Sequence, residues 1–370
     1  MSPSNSNSGS IFVTGGSGFI GFHILTQLLD SGYSVRACVL SMCDTKPALT
    51  IFHSNAARGK KIELLKRALS ANYSNDRFEV VEVPDIASSD LSHYFKGVDG
   101  IIHAAAPLPG RVDPETAFKS SVEGSLHILR EAVQAQVHKI VITGSVVTHP
   151  FPQGPFGAND WNPITKEQAI ASGQPFPIYI AQKKYADLAV VEFAEKHPEI
   201  DVTLVGPPFN YGPFAAGFEH LVPEPDLSAF STNASIYAFL QPGNTEFPGA
   251  PGAIDVRDSA RAHVLALKSR PSAEVGRKRF AIVSPFQSSY KDALEIIAKE
   301  RPELKDRLTD AAQAPEWPSY ALPTDWRSIE NVLGLKAESF IPWRETVLDT
   351  VDSLVRIENS WKEKGFKVPV

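Results

Sequence analysis

Short apolar runs alternate with amphipathic segments along the first 206 residues, and this alternation constrains the fold more than any other feature of the sequence. The runs are rich in Val and Ile and nearly continuous, as strands buried on both faces are. The segments between them show helical spacing of apolar residues. Strand–helix–strand repetition predicts an α/β fold, a Rossmann-type doubly wound parallel sheet. The predicted strands cover residues 11–15, 34–40, 78–83, 100–106, 139–144 and 201–206.

The remaining sequence predicts a smaller C-terminal substrate lobe. Residues 145–177 and 207–253 are rich in Pro, Gly and aromatics and lack periodicity, as binding loops and lids often do. Helical patterns return at 257–269, 289–300 and 344–365. We therefore expect a disordered tail (1–9), an NAD(P)-binding Rossmann domain (10–206) and a mainly substrate-binding lobe (207–370). Some segments of that lobe should return to the Rossmann core.

Composition narrows the functional classes. The formal net charge is −6 and no strong basic patch stands out, which argues against a nucleic-acid partner. Two cysteines, Cys38 and Cys43, have no His or Asp ligand set around them, so we expect no metal site and a reducing compartment. The polar N-terminus does not resemble a signal peptide, and no apolar run reaches the length of a membrane span. We expect a soluble cytoplasmic protein without a membrane partner.

A glycine-rich loop follows the first predicted strand. In "VTGGSGFIG", Gly15, Gly18 and Gly21 lie between a strand and an amphipathic helix, with Gly16, Ser17, Phe19 and Ile20 between them. These glycines permit a tight turn, close approach of the backbone to a pyrophosphate, and close packing of helix on strand. The free N–H groups of the helix N-terminus would bind the phosphates. The sequence therefore predicts a dinucleotide site.

The end of the second predicted strand bears on the choice of dinucleotide. NAD sites usually carry an acidic residue there, but this position is Leu40. Because no carboxylate would repel a 2′-phosphate, we expect NADPH, with NADH left open; Ser41, Lys46 and Arg36 are candidates to contact the phosphate. Asp85, after the third strand, is expected either to cap the next helix or to bind the adenine amino group.

The stretch "PFPIYIAQKKYAD" (175–187) holds two tyrosines and two lysines. On a helix, residues four apart lie about 40° from each other around the axis, so Tyr179 faces Lys183 and not Lys184. Tyr185 has no lysine four residues later. Upstream, a predicted strand ends next to Ser145, so the three side chains can meet at the carboxyl edge of the sheet.

These three residue types suit carbonyl reduction, because a reduced carbonyl leaves an alkoxide that needs a proton. A phenol has an ordinary pKa near 10, too high for easy proton transfer at neutral pH. An ammonium about 5 Å away, at an effective dielectric of about 20, contributes roughly 3 kcal/mol, or roughly two pK units downward. Burial would oppose this shift in part. We predict Tyr179 as general acid, Lys183 as its activator and ligand of the cofactor ribose, and Ser145 as the group that orients the carbonyl.

As an ordered set, these motifs resemble those of extended short-chain dehydrogenase/reductases. The branch that looks most similar contains dihydroflavonol 4-reductases, cinnamoyl-CoA reductases and fungal methylglyoxal and aldehyde/ketone reductases. The segments that carry the resemblance are "VTGGSGFIG", "VVEVPDI", "IIHAAAP", "VITGSVVT", "YIAQKKYADLAVVEFAEKH", "GPPFNYGPF" and "IDVRDSARAHVLAL". The resemblance implies a Rossmann-like sheet with an extra strand and a monomeric or homodimeric enzyme. It also implies that the cofactor contacts Asp85, Ile86, Ala104, Ala105, Ala106, Thr143, Pro207 and Pro208.

The sequence therefore predicts an NADPH-dependent carbonyl reductase acting on a small hydrophobic aldehyde or ketone. An NAD-dependent epimerase/dehydrogenase of the same fold and a non-catalytic dinucleotide-binding regulator are the alternatives. The two irregular segments should form an apolar substrate pocket. Its candidate residues, which could equally be local core under a lid, are Val146, Val147, Phe209 and Phe214.

Overall fold

The computed structural model describes residues 9–40, 55–105, 113–150, 154–247, 252–315 and 322–368. The strands of this part are β1 (Ser10–Thr14), β2 (Ser34–Leu40), β3 (Phe78–Val83), β4 (Gly100–His103), β5 (Lys139–Thr143), β6 (Asp201–Gly206), β7 (Phe209–Tyr211), β8 (Ala253–Asp255) and β9 (Lys278–Ala281). The helices are α1 (Phe19–Asp30), α2 (Asn55–Ser70), α3 (Ser92–Phe95), α4 (Pro114–Gln134), α5 (Lys166–Ser172), α6 (Pro175–Lys196), α7 (Asn233–Ala238), α8 (Val256–Ala266), α9 (Ser272–Val275), α10 (Tyr290–Glu300), α11 (Trp326–Leu333) and α12 (Trp343–Glu363).

The main sheet of the described chain has seven parallel strands in the order β3-β2-β1-β4-β5-β6-β9. Thr14 at the end of β1 pairs with Cys38 on one side and with His103 on the other. The strand order reverses between β1 and β4, and in such sheets ligands bind beyond the carboxyl ends of the strands at that reversal. The predicted Rossmann-type fold is confirmed. The seventh strand, β9, comes from the C-terminal part of the chain.

Successive residues of the central strands pack on opposite faces of the sheet. Phe12, Cys38 and Ile101 belong to a core cluster on the face covered by α3, α4 and α6. Val13 and Ile102 belong to the larger cluster on the other face, which also includes residues of α1 and α8. Burial on both faces explains why these strands are continuous apolar runs in the sequence.

The C-terminal lobe shares the larger of these two clusters. The rings of Phe230 and Trp361 stack at 5.5 Å within it. Glu358 on α12 is buried and accepts hydrogen bonds from Arg307 (2.7 Å) and Tyr237 (3.0 Å). One apolar core therefore runs from the sheet into the lobe.

The two segments expected to be irregular contain short elements. Residues 145–177 include α5, the start of α6 and a 3-10 turn at Val146–Thr148, and residues 207–253 include β7 and α7. Short hydrogen-bonded elements of this kind have little apolar periodicity, which is why the sequence pattern did not predict them. None of the helices within the described ranges combines the length and the apolar character that a membrane span requires.

Candidate active site

The glycine loop packs directly against the end of β4. Gly15 has a φ of 74°, and a Cβ there would lie 2.9 Å from backbone atoms of Ala104 and Ala105. A Cβ at Gly21 would lie 2.0 Å from the carbonyl oxygen of Gly15, so only glycine lets α1 approach the loop this closely. A Cβ at Gly18 would contact only that same carbonyl oxygen, at 3.3 Å. Of Gly15, Gly18 and Gly21, Gly18 is therefore the one that the fold itself needs least.

The N-terminus of α1 offers donors to an anion. Gly18 is its N-cap residue and makes no side-chain cap, and the first turn holds no acidic residue. Next to Gly18, Ser17 is partly exposed, while Gly16 packs against α1. Phe19 is buried, and Ile20 packs against the core, so both hold the helix in place. An uncapped helix end preceded by small residues fits the pyrophosphate of a dinucleotide.

Hydrogen bonds to Thr14 connect the carboxyl end of β4 to β1. The amide of Ala104 donates to the Thr14 carbonyl oxygen (3.3 Å), and that of Ala105 donates to Thr14 Oγ1 (3.2 Å). Thr14 Oγ1 also lies 2.8 Å from Nδ1 of His103, which is buried. These bonds fix the backbone of both alanines beside the glycine loop. Ala106 lies outside the described residues.

At the end of β2, Leu40 is partly buried and packs against the core cluster of Phe12. Arg36 donates to Glu79 Oε2 (2.6 Å) and to the carbonyl oxygen of Lys96 (3.2 Å). The guanidinium is thus engaged within the sheet, and the prediction that it meets a 2′-phosphate is not supported. Ser41 and Lys46, the other candidates for that contact, lie outside the described residues.

After β3, Asp85 forms a local turn. Its carboxylate accepts from the amide of Ala87 (3.0 Å) and from the hydroxyl of Ser88 (2.7 Å). Ile86, the next residue, is buried in the core. The expected helix cap is not formed, because the next helix, α3, begins at Ser92 and has Leu91 as its N-cap residue. The side chain stays exposed, so adenine binding remains a prediction.

Tyr179, Lys183 and Ser145 come together at the carboxyl end of β5. Pro175 is the first residue of α6, which places Tyr179 in the second turn and Lys183 one turn further on the same face. Lys183 Nζ donates to the carbonyl oxygen of Thr143, the last residue of β5, at 2.9 Å. Tyr179 and Ser145 share a hydrogen bond between their side chains. The helical-face interpretation of "PFPIYIAQKKYAD" therefore matches the geometry.

Burial is the largest cause of the pKa shifts of Tyr179 and Lys183. It raises the pKa of Tyr179, the hydrogen bond with Ser145 opposes the rise, and the charge of Asp187 adds to it. Burial likewise lowers the pKa of Lys183, and the charge of Asp187 opposes that fall. The expected net lowering of the Tyr179 pKa is therefore not supported. The largest cause is burial, because a phenolate removed from water loses the hydration that stabilises its charge.

Lys184 and Tyr185 face away from these three residues. Lys184 Nζ donates to the carbonyl oxygen of Ile164 (2.7 Å). The ring of Tyr185 makes an edge contact with Phe118 of α4, with ring centroids 6.2 Å apart. Both residues hold α6 against its neighbours and take no part in the candidate site, as the sequence predicted.

Behind Lys183 the structure places a buried polar cluster that sequence reasoning missed. Asp187 accepts a hydrogen bond from Thr148 Oγ1 (3.2 Å). Arg279 of β9 donates to the carbonyl oxygen and to Oγ1 of Thr148, at 2.9 and 2.8 Å. Asp187 follows Tyr179 by two turns of one helix, a spacing that could have revealed it. Nothing local in the sequence points to Arg279.

Thr143 also bonds to a buried histidine. Its Oγ1 lies 2.8 Å from Nε2 of His263, whose Nδ1 lies 2.8 Å from the carbonyl oxygen of Ser259. Since a carbonyl only accepts, Nδ1 carries the proton and Nε2 accepts from the threonine. Burial and the charge of Lys183 lower the pKa of His263 to about 4, and a backbone hydrogen bond to Ser259 opposes them. This neutral histidine fixes the hydroxyl of Thr143 next to the carbonyl that holds Lys183.

The predicted cofactor residues Pro207 and Pro208 follow β6 at the same edge of the sheet. The amide of Val146 donates to the carbonyl oxygen of Pro207 (3.1 Å), which joins the two strand ends. Asn210 Nδ2 donates to the carbonyl oxygen of Pro208 (2.9 Å). The two prolines therefore lie beside the segment that carries Ser145.

Two of the four predicted pocket residues are partly buried and two are buried. Val147 and Phe209 are partly buried, and Val146 is buried in a small cluster with Phe156 and other apolar residues. Phe214 is core: its ring stacks on Phe218 at 4.5 Å and it is only 8% exposed. The pocket prediction for Phe214 is not supported, because aromatic rings from α1 and the lobe enclose it. Among the described residues no group of His, Cys, Asp and Glu side chains could hold a metal ion.

Known proteins of similar sequence and structure indicate the family of this chain. The model of the NAD dependent epimerase/dehydratase family matches residues 11–279. An uncharacterised oxidoreductase of Schizosaccharomyces pombe is 32% identical, over 93% of this chain and 96% of that protein. A ketoreductase of Aspergillus niger is 29% identical, over 93% of this chain and 97% of its own length. Among solved structures, yeast methylglyoxal/isovaleraldehyde reductase complexed with NADPH is 25% identical with a TM-score of 0.74, covering 95% of this chain and 99% of that one.

Proposed function

Because the chain belongs to the NAD dependent epimerase/dehydratase family, we propose that it is an NADPH-dependent carbonyl reductase. The observation that carries the proposal is the meeting of Ser145, Tyr179 and Lys183 at the end of β5. The glycine loop lies at the same edge of the sheet, because all carboxyl ends of parallel strands do. The similar proteins named as ketoreductase and as methylglyoxal reductase support the same reaction class.

The residues at the glycine loop fit a dinucleotide. The uncapped N-terminus of α1 and the close contact between Gly15 and Gly21 leave room and donors for a pyrophosphate. When bound, NADPH supplies the hydride that reduces the carbonyl carbon. Leu40 leaves the end of β2 without a carboxylate that would repel a 2′-phosphate. The similar yeast reductase is bound to NADPH, which supports the same preference here.

The chain's own residues would then complete the reduction. Ser145 Oγ donates a hydrogen bond to the substrate carbonyl oxygen and orients it. Tyr179 transfers its phenolic proton to that oxygen as negative charge develops. Burial raises the pKa of Tyr179, so the phenol is protonated at neutral pH, the form that reduction requires. The ammonium of Lys183 stabilises the tyrosinate left behind.

The surroundings of Tyr179 favour an apolar or aromatic carbonyl substrate. Phe176, three residues before Tyr179 on the same face of α6, is 42% exposed. Its ring stacks on that of Tyr179 with centroids 6.4 Å apart. Val147 and Phe209 contribute further partly buried apolar surface in the segments that follow β5 and β6. A flat hydrophobic substrate would cover the exposed ring of Phe176.

The test is NADPH and NADH consumption against aromatic ketones, ketoesters, aldehydes and flavonoid-type ketones, with wild-type protein and Tyr179→Phe. We expect NADPH-dependent turnover by the wild type. Tyr179→Phe should lose turnover by about 10²–10⁴-fold, the range typical of a general acid, while binding NADPH normally. Near-normal turnover of the variant would exclude this role. Purified protein with stoichiometric NAD and no net reduction would indicate an epimerase, and cofactor binding without any turnover would indicate a regulator.

A further inference from the structure

Asp187 is a buried carboxylate on the reactive face of α6 that the reaction described above does not use. It follows Tyr179 by eight residues and Lys183 by four, so the three side chains occupy successive turns of one face. The residue is only 4% exposed. Ionised carboxylates are seldom buried unless other groups compensate the charge.

The carboxylate lies against the backbone that carries Ser145. A Cβ at Gly144 would lie 3.0 Å from Asp187 Oδ2, so the side chain abuts the residue between Thr143 and Ser145. Thr148 Oγ1 lies 3.2 Å from the same oxygen and 2.9 Å from the carbonyl oxygen of Ser145, and its single proton is shared between these two acceptors. Thr143 is the acceptor of Lys183 and Ser145 the partner of Tyr179. Asp187 therefore supports the strand end at which the proposed reactive groups meet.

The charged and titratable groups that act on Asp187 come from two elements. On α6 they are Lys183 and Tyr179, and on β9 the group is Arg279, which is 2% exposed. Arg279 reaches the carboxylate through Thr148, to whose Oγ1 it donates at 2.8 Å.

Two further charged neighbours act on Arg279: the Asp160 carboxylate raises its pKa and the Arg277 guanidinium lowers it. The Arg279 guanidinium also bonds the carbonyl oxygen of Asp160 (2.8 Å) and lies 3.4 Å from His149 Nδ1. Burial and the charge of Arg279 lower the pKa of His149 to about 3, so that histidine is neutral. The Asp187 carboxylate thus acts on two buried cations, and one of them is Lys183.

We propose that Asp187 is a positioning residue, whose buried carboxylate supports the end of β5 and keeps Lys183 charged there. The proposal rests on the proposed function, since Lys183 must be a cation to stabilise the tyrosinate and to hold the cofactor ribose. Without the carboxylate, burial alone would favour the neutral amine.

A dependence on pH follows from this arrangement. Burial raises the pKa of Asp187 to about 6, against the charges of Lys183 and Arg279 and the hydrogen bond from Thr148. Above this pH the carboxylate is ionised and supports Lys183. Below it the carboxyl is neutral and the support is lost. Wild-type protein at pH 5 should therefore behave like a variant with a neutral residue at this position.

The experiment compares wild type, Asp187→Asn and Asp187→Glu between pH 5 and pH 8. Two quantities are measured: kcat/KM for NADPH with the best substrate of the carbonyl panel, and the NADPH dissociation constant by fluorescence titration. Asp201→Asn is the matched control, because Asp201 is likewise a carboxylate acting on two cations (Lys278 at 2.8 Å and Lys139) but lies at the opposite end of the sheet.

We expect the ratio of wild type to Asp187→Asn in kcat/KM to rise from near one at pH 5 to on the order of tenfold at pH 8, the effect of about one pK unit. Ionisation of the cofactor phosphate is common to both proteins and cancels in this ratio. Asp187→Glu keeps the charge and should recover most of the loss, and Asp201→Asn should show no change with pH. A ratio that stays constant with pH, or an equal effect of the control, overturns the proposal.

If Asp187→Asn does not fold, Thr148→Val is measured in its place. Loss of its hydrogen bond removes an interaction that lowers the pKa of Asp187, so the fall in kcat/KM should move to higher pH. If kcat/KM of Thr148→Val falls at the same pH as that of the wild type, the proposal is overturned. If the wild type reduces no carbonyl, the proposed function fails, and the NADPH titrations still decide the role of Asp187. A pH-dependent ratio in the dissociation constants supports that role, and a constant one refutes it.

Discussion

Replacing Lys183 and Lys184 separately by methionine tests whether position on α6, and not charge alone, decides function. The two lysines are neighbours in sequence and each donates one hydrogen bond to a backbone carbonyl oxygen. Lys183 bonds Thr143 at 2.9 Å, and Lys184 bonds Ile164 at 2.7 Å. A bond from a charged donor contributes about 1.5–3 kcal/mol, and the partly exposed Lys184 belongs at the lower end of this range. Both variants should therefore unfold at a lower temperature than the wild type.

Activity should separate the two variants. Residues four apart on a helix have Cβ atoms about 5–6 Å apart, so Lys183 lies within about that distance of Tyr179. At an effective dielectric of about 20 the ammonium then stabilises a tyrosinate by roughly 3 kcal/mol, or about a hundredfold in rate. Burial already raises the pKa of Tyr179, so a neutral side chain at position 183 would leave the tyrosinate without this compensation. We expect Lys183→Met to lose about a hundredfold in kcat/KM and Lys184→Met less than about threefold.

The assay is steady-state oxidation of NADPH with one carbonyl substrate, together with thermal unfolding of both variants. Thermal unfolding reports the shared loss of a hydrogen bond, and turnover reports the charge beside Tyr179. Equal losses of activity in the two variants would refute the helical-face argument. So would a Lys183→Met enzyme that keeps a third or more of the wild-type kcat/KM.

Two further predictions concern the glycine loop and the substrate. Gly18→Ala should fold normally, because its Cβ contacts only the Gly15 carbonyl oxygen at 3.3 Å, but it should weaken NADPH binding about 10–100-fold by displacing a charge-assisted hydrogen bond. Gly21→Ala places a Cβ 2.0 Å from the same oxygen and should cost about 1–3 kcal/mol of stability; unchanged NADPH affinity of the first variant, or unchanged stability of the second, would contradict this assignment. Phe176→Ala should raise KM for aromatic ketones about tenfold through lost ring contact and leave small aliphatic aldehydes unchanged, and equal effects on both substrates would argue against Phe176 as a substrate contact.

Local geometry explains what the sequence predicted correctly. Strands buried on both faces must be apolar throughout, so the runs that form β1 to β6 are recognisable from their residues alone. The 3.6-residue period of a helix decided which lysine faces Tyr179, and the glycine spacing predicted a strand–turn–helix. Each of these inferences depends on residues that lie close together along the chain.

Contacts between distant segments decided the rest. Arg279 reaches Thr148 from 131 residues away, on a strand that the apolar pattern did not predict, and so completes the cluster around Asp187. Phe214 lies in an aromatic-rich segment that predicted a substrate pocket, yet rings from other elements enclose it in the core. The pKa of Tyr179 was expected to fall beside Lys183, but burial raises it. Burial is a sum over every segment packed around a group, so the tertiary structure alone determines how charges behave at this site.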